Sequence, residues 1–134
     1  MLEEQLAAEF GAYVRLAGEI ECYLGEDLTA KDPFWVGMDA HLRTLGLPLD
    51  SIGKETDAGQ FEFRLKPTTG LLAAQHVDLL KREVKRYADA QDRPCSFAPM
   101  MPNGTSSSGL HLHLHLVNAK DQHVFFKKED ELSA

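Results

Sequence analysis

The stretch "GLHLHLHL", residues 109–116, alternates leucine with histidine. Successive side chains of a β-strand point to opposite faces of a sheet, so this pattern predicts a strand with a leucine row on one face and a histidine row on the other. We expect the leucine row to face the core and the histidine row to belong to a site. Alternate residues of a strand stand about 6.5–7 Å apart, so neighbouring histidines cannot easily share one small ion. Partners for any metal must therefore come from other strands; the alternative is a half-exposed strand whose polar face has no function.

The composition is that of one globular domain, residues 1–134. A net charge of -7, from 14 Lys and Arg against 21 Asp and Glu, argues against nucleic-acid binding and is compatible with cation binding. The chain has no apolar run of about 18 residues and no signal-peptide pattern, so we expect no membrane partner and a cytoplasmic location. Cys22 and Cys95 have no metal-site spacing and are expected to be reduced, buried thiols.

Other strands are predicted from the same alternation. Residues 11–24, "GAYVRLAGEIECYL", form one strand with Glu19 and Glu21 on the face opposite Ile20 and Cys22. Residues 49–67 predict two strands around a turn at 57–59, with Glu62 pointing away from the aromatic face. Further strands are expected at "PCSFAPM", residues 94–100, and at residues 109–119.

Two helices are predicted between these strands. The first has Asp32 as N-cap, Pro33 at its first position and Gly46 just past its end. The second, within residues 68–92, has one apolar stripe at helical spacing, formed by Ala73, Val77, Leu80, Val84 and Tyr87. The predicted fold class is α+β, a mainly antiparallel sheet with both helices packed on one face.

The opposite, free face of this sheet would gather carboxylates around the histidine row. Glu19, Glu21, Glu62 and His111 lie on it, and Glu55 stands at the neighbouring turn. Oxygen ligands with one or two imidazoles suit Mg or Mn better than zinc, which favours a site for a hard divalent cation. The alternative is a set of exposed acidic residues that bind nothing.

Three segments, in this order, resemble the first half of the glutamine synthetase catalytic domain: "GEIECYL" (18–24), "ETDAGQFEFRLKP" (55–67) and "SGLHLHLHL" (108–116). That family makes glutamine from glutamate, ammonia and ATP through a γ-glutamyl phosphate, with paired Mg or Mn ions. The resemblance implies that Glu21, Glu55 and Glu62 hold the first ion and that Glu19 and His111 hold the second. It further implies that His113 and His115 contact the nucleotide. It also implies that the substrate is contacted by Ser106, Ser107 and Gly109.

This sequence also departs from the family pattern. Ser106-Ser107 replaces an Asn-Gly pair, Met100 stands where the family has a lysine, and His115 replaces a small polar residue. No segment of these 134 residues matches the family's small N-terminal domain or the second half of its catalytic domain. We therefore expect a partial glutamate–ammonia or γ-glutamyl-amine ligase domain that works as a homo-oligomer or with a complementing chain. The alternative is a non-catalytic metal- or nucleotide-binding remnant that acts as an interaction module.

Overall fold

An antiparallel sheet organises the fold. The computed structural model describes residues 2–25, 28–29, 31–102, 104–124, 126–128 and 131–132. The elements in chain order are α1 (Leu2–Phe10), β1 (Tyr13–Tyr23), α2 (Pro33–Thr44), β2 (Leu49–Lys54), β3 (Gln60–Leu65), α3 (Gly70–Asp89), β4 (Leu110–Val117), β5 (Phe126–Lys128) and β6 (Glu131–Leu132). Strands β5 and β6 pair with each other, and the other four form the main sheet.

The main sheet has the strand order β2-β3-β1-β4, and every neighbouring pair is antiparallel. The central strand β1 pairs with β3 on one side and with β4 on the other. This register sets Glu21 opposite Glu62, and it sets Glu19 opposite both Arg64 and His111. The pairing therefore brings three distant sequence segments onto one patch of the sheet.

Helices α2 and α3 contribute buried side chains to a core against the opposite face of the sheet. Helix α2 starts as predicted: the Asp32 side chain accepts a hydrogen bond from the Phe34 amide at 2.9 Å, and Pro33 is the first helical residue. Gly46, just past its end, has a φ of +76°. The predicted α+β class with helices on one face is confirmed.

Helix α3 lies close to β1 at Gly18. A Cβ atom built on Gly18 would lie 2.3 Å from the Val77 Cγ2 atom, well inside van der Waals contact. A side chain at this position would force Val77 to shift, so glycine permits the close contact between α3 and β1.

The strand predicted at residues 94–100 is wrong. Within the described residues this segment forms isolated bridges, Tyr23 with Ser96 and Met100 with Ser107, but no strand. Pro94 and Pro99 lack the amide hydrogen that a ladder needs, so pairing does not propagate along the segment.

The prediction that the leucine row of β4 faces the core is also wrong. Leu110, Leu112 and Leu114 are exposed, because β4 is the edge strand of the sheet and α3 packs over β1 instead. Alternation correctly predicted the strand, but the coverage of each face depends on the neighbouring elements.

None of the helices in the described part of the chain has both the length and the apolar character needed to span a bilayer.

We expect Gly18→Ala to lower the free energy of unfolding by about 1–3 kcal/mol, because the added methyl overpacks the α3–β1 contact. Urea unfolding of the variant, the wild type and the double variant Gly18→Ala/Val77→Ala checks this. Removing the Val77 methyl groups should restore part of the loss, and equal stability of the single variant and wild type would contradict the close-approach argument.

Candidate metal centre

Three carboxylates lie side by side at the middle of the sheet. Glu19 and Glu21 on β1 and Glu62 on β3 are only 8%, 8% and 5% exposed. The sequence predicted that this face would be open, but side chains and the loop at residues 104–109 cover it. Buried carboxylates are costly unless they are partnered, so their surroundings determine what the cluster can do.

Two ligand sets overlap in this cluster. Glu19, Glu62 and His111 each offer one donor atom, and these atoms lie within 4.8 Å of one another; the same holds for Glu21, Glu55 and Glu62. Glu62 belongs to both sets. The structure thus brings together all five residues predicted as ligands, and the oxygen-rich donors fit Mg or Mn. Their role as metal ligands stays a prediction.

Positive and hydrogen-bonding groups surround Glu19. The Arg64 Nε atom lies 2.9 Å from Glu19 Oε2 and 2.6 Å from Glu62 Oε1. His111 Nδ1 lies 2.9 Å from Glu19 Oε1, and His113 Nε2 lies 3.1 Å from Glu19 Oε2. His113, predicted to contact a nucleotide, therefore contacts Glu19, which is a predicted ligand of the second ion.

The two neighbouring carboxyls Glu19 and Glu62 have opposite pKa shifts. Burial alone would raise the pKa of Glu19, but hydrogen bonds from His111, Glu62 and His113 and the charge of Arg64 lower it to about 2. Burial, then the hydrogen bond and negative charge of Glu19, raise the pKa of Glu62 to about 7. The hydrogen bond to Glu19 also raises the pKa of His111. Glu62 therefore holds a proton below pH 7 and donates it toward Glu19.

Gln60 links this cluster to the loop at residues 104–109, which contains the predicted substrate residues. Its Nε2 donates to Glu21 Oε2 at 3.0 Å and to the Ser107 carbonyl at 2.9 Å. The Gly109 amide donates to the same Glu21 oxygen at 3.1 Å. A Cβ on Gly109 would lie 2.8 Å from His111 Nε2, so this glycine leaves room for the imidazole.

Asp57, in the β2–β3 turn, holds the other end of the loop. Its Oδ2 accepts hydrogen bonds from the Thr105 amide at 2.8 Å and the Ser106 amide at 2.7 Å, and Oδ1 accepts one from the Thr105 hydroxyl. These bonds, the hydroxyl bond first, lower the pKa of Asp57. Asp57 and Gln60 together form a clasp that fixes the loop beside Glu21.

A cavity of about 310 Å³ lies next to the clasp, and its lining includes Tyr23, Gln60, Ser106 and Ser108. This volume is at the lower end of the range for small-molecule sites. Of the predicted substrate residues, Ser106 lines this cavity, while Ser107 and Gly109 contact the clasp and Glu21 through their backbones.

His115 lies apart from the carboxylates. Its ring contacts His123, with centroids 5.2 Å apart, and both line a separate cavity of about 220 Å³ with Arg15. His111 and His113 thus share Glu19, whereas His115, two residues further along β4, contacts His123 instead. Its predicted nucleotide role is not tested by these contacts.

Sequence reasoning missed Gln60 and Asp57. Gln60 stands two residues before Glu62 on β3 and shares its face, so strand alternation contained the signal. Asp57 was assigned only to a turn. Its partners Thr105 and Ser106 are 48 and 49 residues away in the chain, and no local pattern reveals such a contact.

Comparison with known proteins gives a family match. The family described as "Glutamine synthetase, catalytic domain" matches residues 10–134. The glutamate–methylamine ligase of Methyloversatilis universalis is 27% identical over 110 residues, covering 82% of this chain and 25% of that protein. The glutamine synthetase of Halobacterium salinarum is 25% identical over 92 residues, covering 69% of this chain and 20% of that protein.

Solved structures share the fold. A crystal structure of a novel glutamine synthase homolog matches with a TM-score of 0.80 and 22% identity, covering 98% of this chain and 34% of that one. The Plasmodium falciparum glutamine synthetase matches with a TM-score of 0.77 and 14% identity, covering 97% of this chain and 36% of that one. The chain therefore spans between a fifth and about a third of the length of these relatives.

Without divalent cations, we expect the thermal stability of the protein to fall as the pH rises from 5 to 6.5. The folded-state pKa of Glu62, about 7, lies above the ordinary value of about 4.3 for an unfolded chain. The folded state then binds more protons in this window, and its stability is lost as Glu62 ionises. Glu19, with its lowered pKa, acts in the other direction and only below about pH 4.3.

Melting curves of wild type and Glu62→Gln across this pH range check the expectation. The Gln amide can still donate to Glu19 but cannot ionise, so the variant should have a flatter profile. The same slope in both proteins would contradict the shared-proton pair.

We expect Asp57→Asn to release the loop. The substitution removes a charged acceptor of three hydrogen bonds, so amide exchange at Thr105 and Ser106 should become about ten- to a hundredfold faster. NMR hydrogen exchange measures this, with Asp50→Asn, an exposed aspartate on β2, as the control. Unchanged rates at both amides would mean that Asp57 does not fix the loop.

Proposed function

The chain belongs to the glutamine synthetase catalytic-domain family, and from that premise we propose that it carries the divalent-metal centre of an ATP-dependent glutamate–amine ligase. The observation that supports this most directly is the pair of overlapping ligand sets that share Glu62. Both sets lie on one sheet face, and both combine residues from distant parts of the chain.

In this proposal Glu21, Glu55 and Glu62 hold one Mg or Mn ion, and Glu19 and His111 hold the other beside Glu62. Two bound metal ions would neutralise the negative charge on phosphate oxygens during phosphoryl transfer from ATP to a carboxylate. These donors suit a divalent cation, because the buried carboxylates need positive charge to compensate them. Arg64 and the proton on Glu62 provide part of it.

The chain's other residues have positioning roles in the proposal. The clasp of Asp57 and Gln60 holds the Ser106–Gly109 loop beside Glu21, where the loop and its cavity would receive the amino-acid substrate. His113 and His115 are assigned to the nucleotide in this proposal, and Arg15, opposite His115 in the register, is ion-paired with Asp121 at 3.2 Å. Two relatives are named a glutamine synthetase and a glutamate–methylamine ligase. Ammonia and methylamine are therefore the two acceptors to test.

Complete catalysis requires more positive charge than this centre contains. Phosphoryl transfer depends on several cationic groups aimed at the phosphate. Among the described residues, Arg64 is the arginine that forms ion pairs with the carboxylate cluster. We propose that further copies of the chain or a complementing chain supply the rest. We also propose that the protein acts in the cytoplasm, where Cys22 and Cys95 would stay reduced.

A second candidate function is a non-catalytic metal- or nucleotide-binding module. It is favoured by the ion pairs of Arg64, which reach both Glu19 and Glu62. Such pairs compensate the buried carboxylates without any ion, so the fold can persist without turnover.

Calorimetric titration with Mn tests the metal centre. We expect saturable binding to the wild type and a loss of about tenfold or more in affinity for Glu62→Gln, because this residue belongs to both ligand sets. Glu21→Gln and Glu19→Gln should each weaken one of two binding events. Glu9→Gln, an exposed carboxylate on α1, is the control, and equal binding by wild type and Glu62→Gln would refute the assignment.

Turnover separates the two candidate functions. Phosphate release from ATP that requires both glutamate and an amine, measured with ammonia and with methylamine, would support the ligase. Mn binding without any such release by the chain, alone or in its assembled form, would support the module.

A further inference from the structure

The two cysteines of the chain are neighbours in the fold, although they are far apart in the sequence. Cys22, on β1, is 0% exposed, and Cys95, in the segment that follows α3, is half-buried and packs against the same hydrophobic core. The Cys22 thiol donates a hydrogen bond to the Cys95 sulfur, and the two form no disulfide. Cys22 points to the opposite face of the sheet from Glu21, so the thiols lie outside the carboxylate cluster.

A backbone bridge holds the two cysteines beside each other. The Tyr23 amide donates to the Ser96 carbonyl and the Ser96 amide donates to the Tyr23 carbonyl, both at 2.9 Å. Residues that flank such an antiparallel pair have side chains on one shared face. Cys22 and Cys95 each precede one member of the bridge, so both side chains leave the backbone toward the core.

The two thiols differ in what can reach them. An oxidant dissolved in water meets Cys95 first, because Cys22 has no exposed surface. The hydrogen bond from Cys22 lowers the pKa of Cys95, and the charge of Lys85 adds to this against the opposing effects of burial and of Asp89. The thiolate is the nucleophilic form of cysteine, and a lowered pKa increases its population. The site therefore combines an accessible, activated thiol with a protected one in contact with it, which is the arrangement of an attacking and a resolving cysteine.

We propose that Cys22 and Cys95 are a peroxide-sensitive thiol pair that forms an intramolecular disulfide. The Cys95 thiolate attacks one oxygen of hydrogen peroxide, the O–O bond breaks, and the departing hydroxide takes the proton that Cys95 gave up, which leaves a sulfenic acid on Cys95. The Cys22 sulfur then attacks the Cys95 sulfur. The S–O bond breaks, and the released hydroxide takes up the Cys22 proton. Two thiols are thereby oxidised to one disulfide, while one peroxide is reduced to two water molecules.

The disulfide would tie the segment after α3 to the central strand of the sheet. Within the described residues, the segment 94–100 forms isolated bridges rather than a strand, so it can open locally without unfolding the sheet. It leads directly to Met101 and Pro102, which line the cavity of about 310 Å³ together with Tyr23. Oxidation would therefore fix one wall of this cavity against β1.

This inference is independent of metal and substrate binding, because it depends on the core side of β1. It survives if the carboxylates prove unable to bind a cation, and it can fail while Mn binding stands. In a reducing compartment such a pair is reduced and becomes oxidised transiently, when peroxide is present. The oxidation is measured with EDTA present, so that metal-catalysed peroxide chemistry does not contribute.

Mass spectrometry of the peroxide-treated wild type tests the disulfide. The reduced chain is treated with hydrogen peroxide, quenched with catalase, unfolded and alkylated with iodoacetamide. We expect a single chain that has lost two hydrogen atoms, about 2 Da, and takes up no alkyl group until a reductant restores both sites. Two thiols that stay open to alkylation, or a disulfide that joins two chains, would overturn the proposal.

Single variants test which thiol attacks. Cys22→Ala should stop at a sulfenic acid on Cys95, which dimedone traps, because the chain has no other cysteine. Cys95→Ala should consume peroxide at least about tenfold more slowly, since its remaining thiol is buried. Melting curves first establish that each variant is folded, and the wild-type result does not depend on either of them. Equal rates for the two folded variants would refute the assigned roles.

Hydrogen exchange tests the attachment of the segment to β1. Exchange of the Ser96 amide should be at least about tenfold slower after oxidation, because the disulfide prevents local opening of its bridge. The Thr68 amide is the matched control, since it belongs to another isolated bridge on β1, with Leu16. An unchanged Ser96 rate, or equal slowing at both amides, would contradict a local effect of the disulfide.

Discussion

The register of β1 between β3 and β4 is the constraint on which the rest of the structure depends. It sets Glu19 and Glu21 against Glu62 on one side, and Glu19 against His111 on the other. A shift by one residue would turn these side chains into the helix-facing core and expose Ile20 and Cys22. Burial of the apolar residues of β1 therefore also fixes the position of the carboxylates.

Three neighbouring carboxylates in a buried patch repel one another unless their charge is compensated. The fold does this with Arg64, which pairs with two of them, and with a proton kept on Glu62 by its surroundings. Both kinds of compensation are exchangeable: a proton is released and an exposed arginine can move away. The cluster is therefore compensated without a cation, and the proposed metal ions would have to displace both the proton and Arg64.

The two faces of β4 illustrate how an edge strand differs from a central one. Its histidines are held by carboxylates of β1, whereas its leucines have no helix above them because Gly18 fixes α3 over the neighbouring strand. The chain thus combines a well-compensated polar face with an uncovered apolar one.

The sequence by itself determined the α+β class, the ends of α2, the strands at Glu19, Glu62 and His111, and the five candidate ligands. These depend on local periodicity, capping and the matched family motifs. Tertiary structure alone decided that the leucine row is exposed, that residues 94–100 form no strand, and that Asp57 holds Thr105 and Ser106. Coverage of a face and contacts across about 50 residues depend on which elements pack together, and alternation within one segment contains no information about its neighbours.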